Sequence, residues 1–303
     1  MLERRWRAPF LVDPAALLSV HRRGHGDPAF ALDPSGAIWR ACRTPDGPGT
    51  LRLGWRAGSG TEVAAAAWGP GAGWLLDGLP AMLGALDRPE DFVPVHPVLR
   101  EVVRRRQPVR IGRTGLVLEA LVPAVLEQKV VGKEATRAWR LLLRQYGEPA
   151  PGPVPAGLTV PPSPAGWAAI PSWEWHRAGV EAVRARTIAG AARVAGRLEE
   201  ITTLPAEQAD RRLRSLPGIG PWTSAEIRQR ACGDPDAVSV GDYHLPSIVG
   251  WALAGRVVDD AGMLELLAPY PGQRHRAALL AGLSGRRPPR RGPRMSVRDY
   301  RAF

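Results

Sequence analysis

Apolar residues recur with two different periods along the chain. In the first 90 residues they alternate with polar residues over short stretches, as in residues 50–56 (TLRLGWR), and residues 33–36 (DPSG) place a turn between two such stretches. Alternation broken by turns predicts an antiparallel sheet. From Val95 onward the apolar residues follow the spacing of helices instead. The pattern predicts an α+β protein, with a small sheet domain over residues 1–90 and an all-α domain over residues 91–285.

Eight helices are predicted in the second region, over residues 97–106, 115–127, 132–146, 178–198, 205–214, 245–253, 260–267 and 274–283. Residues 74–86 have the same spacing, but Pro80 must kink or divide that helix. Residues 148–164 contain seven prolines and no lysine or arginine, which predicts a semi-rigid surface connection inserted into the helical domain. The tryptophans at positions 167, 173 and 175 are expected in the core.

A helix, a tight turn and a second helix are predicted over residues 213–227 (LRSLPGIGPWTSAEI). Gly218 and Gly220 allow a positive φ and a close approach of the backbone to a ligand. The second helix begins with unpaired N–H groups at the positive end of its dipole, and such a corner binds a phosphate. Twenty-four residues after Gly218 comes Asp242, between a glycine turn and a further apolar helix. This spacing predicts a carboxylate at a helix start, close to the phosphate-binding corner.

The amino-acid composition limits which partners and cofactors the protein can have. A formal charge of +12 suits a polyanionic partner such as DNA. The two cysteines, Cys42 and Cys232, exclude a disulfide framework, a four-cysteine zinc site and a cysteine-ligated iron–sulfur cluster. We therefore expect no metal and no cofactor. Because no run of 18 uncharged apolar residues and no signal-peptide segment occurs, we also expect no membrane contact and a cytoplasmic, nucleoid-associated monomer.

Residues 286–303 form a basic C-terminal tail. Seven arginines and one aspartate lie between residues 286 and 301, and no apolar period is present. An arm that contacts DNA phosphates and a merely solubilising tail are the two interpretations, and the arm is favoured.

The turn sequence LPGIG at residues 216–220, followed by Asp242, resembles the helix-hairpin-helix DNA glycosylase superfamily. The bacterial 3-methyladenine DNA glycosylase II branch is similar in arrangement, since it too has a small sheet domain before its helices. The resemblance implies that Asp242 is the catalytic carboxylate. It also implies that DNA phosphates are bound at Leu216, Gly218, Gly220 and Thr223.

The resemblance also implies a base pocket. Trp222 matches a tryptophan that lines this pocket, and it stands where bifunctional relatives carry the lysine that forms a Schiff base. Water is therefore the expected nucleophile, and an abasic site without a strand nick the expected product. Glu226 and Gln273 replace two aromatic pocket residues and make the pocket more polar. Glu226 could pair with a cationic base or accept a hydrogen bond from an exocyclic amine of the base, or it could be a solvated helix residue.

A minor-groove plug is the last feature that the resemblance implies. In the family the junction between the helices predicted at 115–127 and 132–146 faces the minor groove, where one side chain fills the gap left by an extruded base. By position this plug is Lys129, with Gln128 beside it, and a solvated polar junction is the alternative. Tyr243 and His244 are interpreted as local packing or DNA-backbone groups.

These observations predict a monofunctional glycosylase that removes damaged bases, preferably alkylated purines, from double-stranded DNA and so initiates base excision repair. Two alternatives remain open. One is a glycosylase for a bulky or deaminated base, and the other is a non-catalytic protein that binds damaged DNA.

Overall fold

The computed structural model describes residues 1–57 and 60–289. The tail at 286–303 therefore lies almost entirely outside the described residues. The N-terminal region is a five-stranded antiparallel sheet in the order β1–β5–β4–β3–β2. Its strands are β1 Leu2–Ala8, β2 Phe30–Leu32, β3 Ile38–Thr44, β4 Gly47–Ala57 and β5 Thr61–Trp68. The predicted antiparallel sheet is confirmed. The alternation of apolar and polar residues corresponds to the two faces of the sheet, because every second residue of β5 is buried.

Three short helices accompany the sheet: α1 Pro14–Leu18, α2 Ala72–Asp77 and α3 Leu79–Met82. The helix predicted at residues 74–86 is thus divided at Gly78, so that Pro80 occupies the first turn of α3. A proline is tolerated there because its missing N–H would have no partner in the helix.

Twelve further helices follow in the described part of the chain. They are α4 Pro97–Arg105, α5 Val117–Leu126, α6 Gly132–Tyr146, α7 Pro164–Ala169, α8 Ser172–Arg177, α9 Ala182–Arg193, α10 Ala195–Glu199, α11 Ala206–Arg214, α12 Pro221–Ile227, α13 Leu245–Ala254, α14 Asp260–Leu267 and α15 Arg274–Leu283. None of the helices in the described ranges is long and apolar enough to cross a membrane.

The prediction of a single helix over residues 178–198 is wrong. It is two helices, α9 and α10, because Val194 between them has non-helical backbone angles (φ −114°, ψ 19°). Beyond this break Glu199 accepts hydrogen bonds from the N–H groups of Val117 and Leu118 at 2.7 and 2.9 Å. The second helix therefore caps the buried start of α5.

The proline-rich segment is a surface connection over only part of its length, because several of its side chains are buried. Its ends form a two-stranded ladder, β6 Glu148–Pro149 with β7 Thr159–Val160. Ala150, Leu158 and Val160 are buried against Trp39 and Ala41 of the sheet. The segment thus folds back and attaches the helical region to the N-terminal sheet. Of the tryptophans that follow it, Trp167 and Trp175 lie in the core as predicted, whereas Trp173 is 65% exposed.

The helical region is built around two apolar cores. The first surrounds α5, which is buried along nearly its whole length, and includes Ile219 of the predicted hairpin. The second joins α4 to α13, α14 and α15. Asp242 lies on the connection between these cores, since α12 belongs to the first and α13 to the second.

Candidate nucleic-acid interface and active site

A helix-turn-helix hairpin forms one side of the candidate site. Helices α11 and α12 are joined by residues 215–220, and Ile219 anchors the turn in the core. Gly218 has φ +88°, and a Cβ there would lie 2.0 Å from the Thr187 hydroxyl oxygen. Gly220 has φ −94°, and no atom within 4 Å would meet its Cβ. The predicted positive φ is therefore found at Gly218 and not at Gly220, whose missing side chain leaves open space instead.

The turn has unused main-chain donors. Among the described residues, no acceptor is found for the N–H groups of Gly218 and Gly220. The side chain of Leu216 packs against the core, and the hydroxyl of Thr223 is buried and accepts a hydrogen bond from Gln128. A phosphate at this corner would therefore meet main-chain groups, since the Thr223 side chain is buried.

Asp242 and Trp222 lie in direct contact. One carboxylate oxygen of Asp242 accepts hydrogen bonds from the N–H groups of His244 and Leu245, both at 2.8 Å, and the other accepts one from the Trp222 indole at 3.1 Å. Gly241, with φ +92°, forms the preceding turn. Three donors thus fix the orientation of a half-buried carboxylate beside the first turn of α12. This arrangement brings together two residues that are 20 positions apart.

Glu226 is one helical turn beyond Trp222 and is already paired. Its carboxylate accepts from Arg230 at 2.7 Å and from the Ser239 hydroxyl at 2.6 Å, and its side chain is only 13% exposed. The chain at this point leaves α12 for a π-helical turn over Arg228–Cys232, a feature often found at functional sites. Glu226 is therefore not a solvated helix residue, and its contact with a base stays a prediction.

Gln273 is not brought into contact with Asp242 or Trp222. It precedes α15, and its side-chain oxygen accepts a hydrogen bond from Arg276 at 2.7 Å. It lines a cavity of about 270 Å³ together with Asp87, Arg113 and Cys232. Arg276 is fully buried and paired with Asp87, so this end of α15 is held by a buried ion pair.

The junction predicted to carry the plug lies against the hairpin. The amide nitrogen of Gln128 donates to the Gly218 carbonyl at 2.9 Å and to the Thr223 hydroxyl at 2.8 Å. Lys129 is exposed and has φ +53°. The two neighbours therefore differ, because Gln128 is engaged within the protein and Lys129 points to solvent.

Two aromatic rings flank the candidate site. Tyr243 is 82% exposed and packs edge to face on His244, with ring centres 4.8 Å apart.

Arg230 and Ser239 were not among the candidates from the sequence. The four-residue spacing of Glu226 and Arg230 could have suggested their ion pair, whereas no sequence signal marks Ser239.

Comparisons with known proteins identify the fold. A scan against models of protein families found no match. The "3-methyladenine dna-glycosylase from Archaeoglobus fulgidus" has a TM-score of 0.73 at 18% identity and is aligned over 92% of this chain and 96% of its own. The 8-oxoguanine glycosylase/lyase of Clostridium acetobutylicum, in complex with double-stranded DNA, has a TM-score of 0.65 at 11% identity over 92% and 96%. The chain has the fold of the helix-hairpin-helix DNA glycosylases.

The glycosylase fold extends over the N-terminal sheet as well as the helices, because both alignments cover nine-tenths of the chain. A sequence relative is the Mycobacterium tuberculosis protein named "Probable bifunctional transcriptional activator/DNA repair enzyme AlkA". It is 37% identical over 153 residues, which are 49% of this chain and 30% of that protein. The chain therefore spans less than a third of the length of this relative.

Proposed function

We propose that this protein is a monofunctional DNA glycosylase of the 3-methyladenine glycosylase II type. It hydrolyses the N-glycosidic bond of a damaged base in double-stranded DNA and so begins base excision repair, with alkylated purines as the preferred substrates. The observation that carries the proposal is the carboxylate of Asp242, held by three donors in contact with Trp222 and beside the hairpin.

Extrusion of the damaged nucleotide comes first. It costs roughly a few kcal/mol, and less for a damaged or mispaired base. The free N–H groups of Gly218 and Gly220 would hold a phosphate of the bent strand, and Lys129 would fill the gap that the base leaves. Once extruded, a cationic alkylated purine would stack on the electron-rich indole of Trp222.

Asp242 then lowers the barrier to bond cleavage. Departure of the base leaves positive charge on the sugar, and an ionised carboxylate nearby stabilises this charge. At an effective dielectric of about 20 and a separation of about 4 Å, the attraction is roughly 4 kcal/mol, or about three orders of magnitude in rate. Asp242 can also orient or deprotonate the attacking water.

The monofunctional part of the proposal is supported by the distribution of lysines. Lys129 and Lys133 are the two lysines of the chain, and Trp222 occupies the hairpin position that carries the lysine in bifunctional relatives. Lys129 lies next to Gln128, which contacts the hairpin, so this amine is the one to test.

We expect no covalent protein–DNA adduct when base excision is carried out in the presence of borohydride, because a Schiff base with the sugar requires a suitably placed amine. The adduct would be detected by a mobility shift on a denaturing gel, with Lys129→Ala as the control variant. An adduct that disappears in Lys129→Ala would refute the monofunctional assignment and identify Lys129 as the nucleophile.

A second candidate substrate class, a deaminated base, is favoured by the pairing of Glu226. Because Arg230 already neutralises this carboxylate at 2.7 Å, Glu226 offers little attraction to a cationic base. An uncharged base with a carbonyl group, such as hypoxanthine, would not suffer from the adjacent guanidinium. Bases released from methylated and from deaminated DNA, measured by mass spectrometry, distinguish the two classes.

Arg230→Met is expected to raise the excision of 7-methylguanine relative to hypoxanthine by roughly tenfold. Removing one positive charge about 7 Å from a cationic base changes the interaction by roughly 2 kcal/mol at a dielectric near 20, and solvent screening reduces this. Arg105→Met is the matched control, since Arg105 also pairs at 2.7 Å with a glutamate four residues earlier, on the exposed face of α4. An unchanged ratio would place Arg230 away from the base.

A further inference from the structure

Gln128 joins two parts of the molecule that are distant in sequence. It lies in the junction between α5 and α6, whereas the two oxygens that accept from its amide nitrogen, on Gly218 and Thr223, belong to the hairpin 90 and 95 residues later. Both protons of this nitrogen are therefore committed to the hairpin. Gly218 is confined on another side by the Thr187 hydroxyl, so the turn is held between α9 and the junction.

The residue next to Gln128 has an unusual backbone. Lys129, with φ +53°, is the one non-glycine residue with positive φ among residues 1–57 and 60–289. This conformation is unfavourable for a lysine and persists where the surrounding structure enforces it. The neighbouring Gln128 side chain, bonded twice to the hairpin, is in a position to supply that restraint. Lys129 is therefore an exposed lysine on a short loop, and the preceding residue of that loop is hydrogen-bonded to the hairpin.

We propose that Gln128 is a positioning residue that couples insertion of Lys129 into DNA to phosphate binding by the hairpin. The inference rests on the proposed function for the identity of the ligand, double-stranded DNA. The same two hydrogen bonds fix the distance between the loop that bears the plug and the amides that bind the phosphate. In the free protein the loop that bears Lys129 and the hairpin amides therefore already have fixed relative positions, and DNA binding need not order them.

The test compares variants on a duplex that contains one tetrahydrofuran abasic analogue, with 2-aminopurine in the opposite strand to report insertion of the plug. Gln128→Met keeps the length of the side chain and removes both hydrogen bonds. Gln145→Met is the matched control, because Gln145 also makes two side-chain hydrogen bonds, to Tyr146 and Glu174, at the end of α6. Duplex affinity and 2-aminopurine fluorescence are measured for four variants. These are Gln128→Met, Gln145→Met, Lys129→Ala and the double variant that combines Gln128→Met with Lys129→Ala.

Gln128→Met is expected to weaken binding about tenfold, because DNA binding must then order the loop that two hydrogen bonds, each contributing a factor of roughly 2 to 12, order in the free protein. It should also reduce the fluorescence change, whereas Gln145→Met should alter affinity less than twofold. Lys129→Ala should reduce the affinity for the abasic duplex much less in the Gln128→Met variant than in the native protein. Thermal unfolding of the two methionine variants should be similar, so lost stability cannot account for the difference.

Independent losses from Gln128→Met and Lys129→Ala, or equal effects of the two methionine variants, would overturn the coupling. Release of bases is measured separately on damaged DNA. A protein that releases no base but shows the non-additive losses would refute the proposed catalysis and retain the coupling. A native protein that does not prefer the abasic duplex to an undamaged one would overturn both.

Discussion

Asp242→Asn is expected to lower the rate of base release about a thousandfold and to leave the affinity for DNA within about threefold of the native value. The expected loss corresponds to the roughly 4 kcal/mol by which an ionised carboxylate stabilises the positively charged sugar. Asparagine still has an oxygen that can accept from the N–H groups of His244 and Leu245, so the turn should keep its shape. The bond from Trp222 is lost, at a cost of about 1 kcal/mol in stability.

This substitution separates catalysis from helix capping. Asp242 accepts hydrogen bonds from main-chain N–H groups at the start of α13, which a purely structural residue would also do. The measurement is single-turnover release of 7-methylguanine from methylated DNA, followed by mass spectrometry. Asp260→Asn is the control, because Asp260 accepts from the N–H of Gly241 at 3.1 Å and supports the same turn. Equal activity of Asp242→Asn and native protein would refute the catalytic role of Asp242, whereas no measurable excision by the native protein on any lesion would favour a damage-binding protein.

Gly218→Ala is expected to destabilise the protein by about 2–4 kcal/mol and to abolish tight DNA binding. The new methyl group would lie 2.0 Å from the Thr187 hydroxyl oxygen, and an alanine at φ +88° is strained as well. Overpacking costs typically 1–3 kcal/mol and the left-handed backbone roughly 1–2 kcal/mol. The hairpin must therefore shift away from α9, and the hydrogen bond from Gln128 to the Gly218 carbonyl would be distorted.

Urea unfolding measures the loss of stability, and titration with an abasic duplex measures binding. Gly220→Ala is the matched control: its φ is −94° and its Cβ would meet nothing within 4 Å. We expect it to fold normally and to bind DNA more weakly, since a phosphate would approach that space. Thr187→Ala should restore part of the stability of Gly218→Ala. A Gly218→Ala protein as stable as Gly220→Ala would show that the turn can shift freely.

The placement of Asp242 between two apolar cores has a mechanical consequence. Helix α12 packs in the core around α5, and α13 packs in the core of α4, α14 and α15. The Trp222 to Asp242 hydrogen bond spans this boundary. A duplex that contacts both halves would therefore meet the carboxylate where they join.

Much of the architecture follows from the sequence alone. Alternation predicted the sheet, the bounds of α6, α14 and α15 agree with their apolar periods, and the glycines with the spaced Asp242 predicted the hairpin and a carboxylate at a helix start. These features depend on local periodicity and turn chemistry, which neighbouring residues express directly. The chemical roles of the site residues stay predictions.

Tertiary structure alone decided how the candidates are used. The proline-rich segment, predicted from its composition to be a surface connection, has Ala150, Leu158 and Val160 buried because Trp39 and Ala41 offer them an apolar surface. Glu226 is neutralised by Arg230 and held by Ser239, and Gln128 is bound to the hairpin while Lys129 is exposed. Most of these contacts join residues far apart in the chain. Except for the Glu226–Arg230 pair, which the four-residue spacing indicates, their formation depends on which faces the packed helices present to one another, and no local pattern predicts it.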